Sequence, residues 1–332
     1  MIVIDRAILH ILDLNAGSTV LSDAELTLSE GVRQYLVKHI ERSLTSQDAR
    51  AGKFYDDSQF KASMDYYLAE KIDFITFTSN QAKVLEQTLL QADEMKPIDL
   101  IICDIHVDDV RKIIILKSLN HQGFMHQIVK NDDGFANEIV DEYAILPGMT
   151  QHIDEFAVID PADDSISVRT KRYTIDGNSI YALTEALLEC SQAPSPKETL
   201  KKVNKVVQDV AKAYGQDGIE AAAAMKSSIV ADLSESDEVD PIEIGSKVFT
   251  NTSMREDYEA QMKESGFTEP VHVNQERTVK RLVSHKLKTD TGIELSIPVD
   301  YFDNTDYVEF NHDPDGSYSI TLKHIQDIQN RN

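Results

Sequence analysis

Two stretches of the 332-residue chain gather positive charge at spacings that suit phosphate binding. Residues 197–212 read KETLKKVNKVVQDVAK, five lysines against two acids, and residues 275–288 read QERTVKRLVSHKLK, five Lys or Arg against Glu276 alone. In the first stretch Leu200, Val203, Val206 or Val207, and Val210 recur at helical spacing. That stripe must face a partner, so Lys201, Lys202 and Lys205, with Lys212, project elsewhere. The second stretch reads as an extended segment along which Arg277, Lys280, Arg281, Lys286 and Lys288 track phosphates, with His285 adding a hydrogen bond. The plain alternatives are a solvated helix face for the first and an edge strand guarded by lysine for the second. Neither stretch interleaves aromatics and the chain has no Trp, so stacking on single-stranded bases is not expected.

A different chemistry is suggested by Asp104, His106 and Asp108, since alternate residues of a strand share a face and carboxylate with imidazole can hold a metal. The three lie where an apolar strand runs into a turn, however, and solvated polar side chains are the ordinary occupants of such a place. Asp313, Asp315 and Gly316 superficially resemble a calcium loop, but the glycine and the terminal glutamate of an EF-hand fall on Tyr318 and His324, so DPDG reads as a hairpin turn. No glycine-rich phosphate loop, HExxH or GxSxG is present, and the ten histidines are dispersed. The expectation is a protein without catalytic residues, metal or cofactor.

The whole chain carries 57 acids against 33 bases, a formal charge of −24. That excludes a uniformly basic, DNA-coating protein. The excess is uneven: residues 99–164 hold 14 acids and four bases. An apolar fraction of 41% is that of a folded chain. The two cysteines, Cys103 and Cys190, sit in apolar stretches and make no disulfide framework, which fits a reducing compartment. The first 14 residues carry Asp5 and Arg6 within their apolar run and do not read as a secretory signal. No apolar run approaches membrane-spanning length, so a soluble cytoplasmic protein without a membrane partner is expected.

The elements that must position these residues follow from periodicity. Residues 2–14 and 18–26 read as a strand pair about an Ala16-Gly17 turn. Thr27 with Glu30 predicts a capping box ahead of a helix through Leu28, Val32, Tyr35, Leu36, Ile40 and Leu44. A second helix carries Phe60, Met64, Tyr67 and Leu68, and a third starts near Ser79 and ends before Pro97. The apolar runs at 98–103 and 112–119 read as central strands joined through HVDDVR, with further strands at 138–145, 155–160 and 165–173. From Asn178 the spacing becomes helical. A break at 193–196 precedes helices at 197–214, 217–232, 240–249 and 252–264, and short extended pieces fill the chain after Pro270. The reading is α+β: an N-terminal sheet packed with helices (1–174), a helical middle region (175–266) and a small β-rich C-terminal unit (267–332).

Several segments, in order, carry a resemblance: AILHILD at 7–13, RAGKF at 50–54, DFITF at 73–77, IIILK at 113–117, AILPGMTQHIDEFAVID at 144–160, and GIELSIPVDYF with NHDPDGSYSITLKHI at the end. Through them the chain, at 37.3 kDa, resembles the 37-kDa nucleoid-associated protein family of bacteria nearly end to end. The resemblance implies a cytoplasmic, nucleoid-associated, DNA-binding protein with no established enzymatic activity or cofactor. It supplies no residue-by-residue DNA-contact motif, so the Lys and Arg above rest on charge alone.

The expected function is therefore binding of double-stranded DNA through a local basic surface, largely without sequence specificity. The rival is an acidic adaptor that docks on a basic chromosome-associated protein and reaches the nucleoid indirectly. A homodimer, the commonest soluble oligomer, would double any basic patch.

Overall fold

In a computed structural model of the chain, the described residues are 1–15, 18–131, 134–302, 304–312 and 317–327. They fall into two compact units, Met1–Ala193 and Pro194–Asn332.

The first unit opens with β1 (Ile2–Asp13) and the short β2 (Ser18–Val20), while the Ala16-Gly17 turn expected between them lies outside the described residues. Helix α1 (Glu30–Leu44) is capped by Ser29, whose hydroxyl accepts the Val32 N–H. The expected Thr27–Glu30 box does not form, because Ser29 already occupies the cap position. After β3 (Arg50–Lys53) and α2 (Gln59–Leu68), helix α3 (Phe74–Leu89) starts five residues before the expected Ser79. Asp73 caps it by accepting the Thr76 N–H at 2.7 Å, and Phe74 and Phe77 in its first turn are wholly buried.

Strands β4 (Ile98–Val107) and β5 (Val110–Leu119) run further than their apolar cores, so the connection shrinks from six residues to Asp108 and Asp109. Both have positive φ, 47° and 67°, the signature of a tight primed hairpin turn. A second hairpin follows, β6 (His121–Asn131) and β7 (Gly134–Ile145). Sequence reading missed β6 and began β7 four residues late. Strands β8 (Glu155–Asp160) and β9 (Ser165–Arg169) return to the main sheet. Residues 172–181, read partly as strand and partly as helix, form the hairpin of β10 (Arg172–Ile175) and β11 (Asn178–Tyr181). The helical stripe begins only at Ala182, as a six-residue π-helix, Ala182–Leu187.

The main sheet has the order β2-β1-β4-β5-β8-β9-β3 and is antiparallel throughout. Its two faces are both covered, which is why β4 and β5 read as near-continuous apolar runs. One face packs Ile8, Leu12, Ile102 and Ile115 against Phe60, Met64, Phe77 and Leu85 of α2 and α3. The other packs Ala7, Ile101, Ile114 and Val158 against Leu36 and Ile40 of α1. Both cysteines are buried, and desolvation pushes their thiols up to about 12, as for inert core residues.

The second unit begins with α4 (Pro196–Ala213) and α5 (Gly218–Asp232). The two-residue β12 (Glu238–Val239), α6 (Glu243–Val248), α7 (Thr252–Glu264) and β13 (Val271–His272) follow, the two strands pairing with each other. Residues 275–288, expected to be extended, are instead α8 (Gln275–Leu282) and then β14 (Ser284–Lys288), because Asn274 caps a helical turn by accepting the Arg277 N–H at 2.9 Å. Strand β15 (Glu294–Pro298) pairs with β14, and the expected extended piece then turns into the one-turn helix α9 (Val299–Phe302). Strands β16 (Val308–His312) and β17 (Tyr318–Leu322) form the last hairpin, whose DPDG turn lies outside the described residues. Helices α4–α8 share one core, built on Val203, Val207, Met225, Tyr258 and Leu282. Ala223 of α5 joins Ile297, Phe302 and Val308 in a smaller one. The chain is thus mixed α+β, and among the described residues no helix is long and apolar enough to cross a membrane.

Candidate nucleic-acid interface

Helix α4 is fixed at its start by a complete capping box. Ser195 accepts the Glu198 N–H, the Glu198 carboxylate accepts the Ser195 N–H at 2.9 Å, and Pro196 occupies the first turn, where its missing N–H costs nothing. Leu200, Val203, Val206, Val207 and Val210 are buried as the periodicity predicts. The consequence lies on the neighbouring stripe, where Lys197, Lys201, Asn204 and Gln208 follow one another at helical spacing along a groove.

The facing wall of that groove is α5, through Ile219, Ala222, Met225, Lys226 and Ile229. Its end is built from the close of α8 and from β14, which contribute Arg281, Leu282, Lys286, Leu287 and Lys288. The groove encloses about 510 Å³, with Leu200, Met225, Ile229 and Leu282 as its apolar floor. Six of its lining residues are cations, Lys197, Lys201, Lys226, Arg281, Lys286 and Lys288, and among the described residues no carboxylate lines it.

The two basic stretches, separated by some 60 residues in sequence, therefore converge, but only in part. Lys201, Arg281, Lys286 and Lys288 line the groove, whereas Lys202, Lys205, Arg277 and Lys280 do not. Lys280 is held on the exposed side of α8 by Glu276, one turn before it, at 2.5 Å. Lys288 sits opposite its register partner Glu294 and pairs with it at 3.0 Å, both side chains well exposed, so the pair adds little stability. The side chain of His285, expected to add a hydrogen bond, lies outside the described residues.

Lys226 is the cation that sequence reading missed. It follows the Ala221–Ala224 run, away from any cluster of charge, and is half-buried with its ammonium 3.5 Å from the Ser284 carbonyl. Burial holds its pKa below the usual lysine range, the direction expected where a cation is desolvated.

The metal reading finds no support in the geometry. The Asp104 carboxylate is taken up by Arg111, at 2.5 Å, and by the Tyr67 hydroxyl, also at 2.5 Å. His106 meets Asp5 at 2.7 Å, and Asp108 meets the N-terminal amine. The three residues thus share no partner, and among the described residues no group of His, Cys, Asp or Glu gathers as a metal would require.

These features define a mixed α+β chain, acidic as a whole, with a cationic groove confined to its second unit. The sequence pattern of the nucleoid-associated protein YejK family matches residues 8–329, nearly the whole chain, and the protein belongs to that family. No curated protein gives a match to the chain.

Proposed function

We propose that the protein is a non-enzymatic nucleoid-associated protein of the bacterial cytoplasm that binds double-stranded DNA through the groove between α4, α5 and β14. The observation that carries this reading is the six-cation lining, with no carboxylate among the described residues, on a chain whose net charge is −24. Clustered cations repel one another, and a phosphate backbone relieves that repulsion while releasing counterions. The acidic remainder repels other stretches of duplex and limits docking to this one face. Because Lys and Arg here face no aromatic stacking partner among the described residues of the groove, the contacts position the backbone and do not read bases.

The test is duplex binding by fluorescence anisotropy at low salt. Arg281→Glu with Lys286→Glu abolishes binding, whereas Lys205→Glu, outside the groove, leaves it nearly intact. If the wild-type protein fails to bind duplex at low salt, or both variants bind alike, the reading is wrong.

The adaptor reading is favoured by one observation, the acidic excess of residues 99–164, part of which is displayed on β7 at Glu138 and Asp141. A pull-down from nuclease-treated lysate separates the two. Basic chromosome-associated partners that survive removal of DNA support the adaptor, and their disappearance supports direct binding.

A further inference from the structure

The first unit holds a cavity of about 260 Å³ at one end of its main sheet, between the close of α3, the start of β4, the end of β5 and strand β10. Leu14, Leu89, Ala92 and Ile98 give it a buried apolar floor. Lys117 and Tyr173 also line it, and through them one end of the buried Lys117–Glu155 ion pair reaches the cavity. Stability alone does not account for such a pair, since apolar residues of similar volume often serve as well or better. Its place beside a cavity does.

The hydrogen bonds of this pair show what remains to be satisfied. Glu155 Oε1 accepts from Lys117 at 2.5 Å and from the Tyr173 hydroxyl, and Oε2 accepts from the Lys171 N–H at 2.8 Å and the Thr170 hydroxyl at 3.0 Å. The carboxylate is fully used. Burial and the Glu155 charge hold the Tyr173 hydroxyl well above the usual tyrosine range, so it keeps its proton for Glu155 and accepts a second Lys117 N–H at 2.5 Å. The third N–H of that ammonium has no acceptor among the described residues, and a buried charged donor is costly to leave so. It is left for whatever fills the cavity.

The other charges of the lining fix the chemistry of that occupant. Lys96 is paired with Glu94 at 2.8 Å and Lys171 with Asp154, which leaves Arg172 and Asp93. Arg172 is steadied by its Nε, which donates to the Tyr181 hydroxyl at 2.8 Å, while its terminal nitrogens have no partner among the described residues. A guanidinium fork and a spare ammonium N–H lining one cavity suit a carboxylate. A dry cavity of ~150 Å³ admits benzene, so this one has room for a ring or branched chain together with its head group.

We propose that the cavity binds a small ionised carboxylic acid, its aromatic or branched apolar body on Leu14, Leu89 and Ile98 and its carboxylate held by Lys117 and Arg172. Asp93 is the acceptor for an ammonium group if the acid is an α-amino acid.

Isothermal titration calorimetry of the full chain at pH 7 with 3-phenylpropionate, L-phenylalanine and the uncharged 3-phenylpropanol tests this. At least one of the two acids is expected to bind, and the alcohol to bind at least tenfold more weakly. Arg172→Gln is expected to weaken the acid about tenfold with an unchanged circular dichroism spectrum, since this side chain is exposed. Thr174→Trp, also at an exposed lining position, is expected to abolish binding by filling the space. With Asp93→Asn, a loss confined to L-phenylalanine identifies an amino acid as the ligand class, and no change identifies an acid without the amine. Failure of both acids to bind overturns the proposal. So does an alcohol that binds as tightly, or binding that neither Arg172→Gln nor Thr174→Trp weakens.

Discussion

Lys117 and Glu155 are register partners on β5 and β8, and their charged groups meet at 2.5 Å with essentially no access to solvent. The Glu155 carboxylate also accepts the Lys171 N–H at 2.8 Å and the Thr170 hydroxyl at 3.0 Å, and Tyr173 closes the network by bonding to both ions. A buried ion pair is tolerable only when its remaining hydrogen-bonding capacity is met in this way. Glu155→Ala leaves an ammonium buried without its counter-ion and is expected to cost about 3–5 kcal/mol in urea unfolding. Lys117→Met combined with Glu155→Leu, which removes both charges, is expected to cost far less than Glu155→Ala alone.

Asp99 and His10 oppose each other as pH changes. They lie on adjacent strands and point to opposite faces of the sheet, Asp99 beside the α1 face and His10 beside the α3 face. Burial pushes the Asp99 carboxyl from 3.8 up to about 6. Between those values the folded chain keeps a proton that the unfolded chain has released, so stability falls as pH rises, and the penalty is complete above pH 6. Burial holds the His10 imidazole at about 4, below its usual 6.5, so the unfolded chain takes up the proton first and stability falls as pH drops through that window. The two effects largely cancel between pH 4 and 6. Asp99→Asn is expected to stabilise by up to about 3 kcal/mol at pH 7 and by almost nothing at pH 4, at ~1.36 kcal/mol per unit. Urea titrations at the two pH values read this directly.

The groove makes a quantitative prediction about salt. Every phosphate that goes without its cation lowers the slope of log affinity on log salt by about 0.9. Lys201→Gln and Lys286→Gln are each expected to reduce the slope by about that amount while weakening binding alike for unrelated duplex sequences. Lys202→Gln, outside the groove, is expected to leave the slope unchanged.

Two glycines separate packing from backbone freedom. A Cβ on Gly245 of α6 would collide with the ring of Tyr258, which is wholly buried and donates to the Pro241 carbonyl at 2.6 Å. Gly245→Ala is expected to destabilise by about 1–3 kcal/mol, as overpacking does. Gly31, in the first turn of α1, has open space within 4 Å of the position an alanine methyl would take, and Gly31→Ala is expected to stabilise by up to ~1 kcal/mol. Thermal unfolding of the two variants shows the opposite signs.

The parts of this chain that are legible in its sequence are those where one burial rule governs many residues. The stripe of α4 and the apolar runs of β4 and β5 are of that kind, because a covered face imprints its period on the residues. Helix α8 is not legible, since only Thr278 and Leu282 of its eight residues are buried and four of the other six are charged. Its one usable signal is Asn274 at the cap. Strand β6 escapes sequence reading for a related reason: with Phe124, Met125 and Ile128 all exposed, no buried face marks the alternation. Four of the groove's cations follow from local charge excess, and Lys197 lies within the first stretch. Lys226, alone after a run of alanines, emerges only once α5 is known to pack beside α4.

The β6–β7 hairpin forms an arm outside the main sheet. Strands β5 and β8 are hydrogen-bonded neighbours, and the Leu119 N–H donates to the Asp154 carboxylate at 3.2 Å where the chain leaves and rejoins the sheet. Departure and return thus share one doorway, and the reach of the hairpin beyond it is invisible to the core. Rungs can be added or removed in pairs without disturbing a single residue of the seven-stranded sheet. Arm length is therefore set independently of the body of the protein.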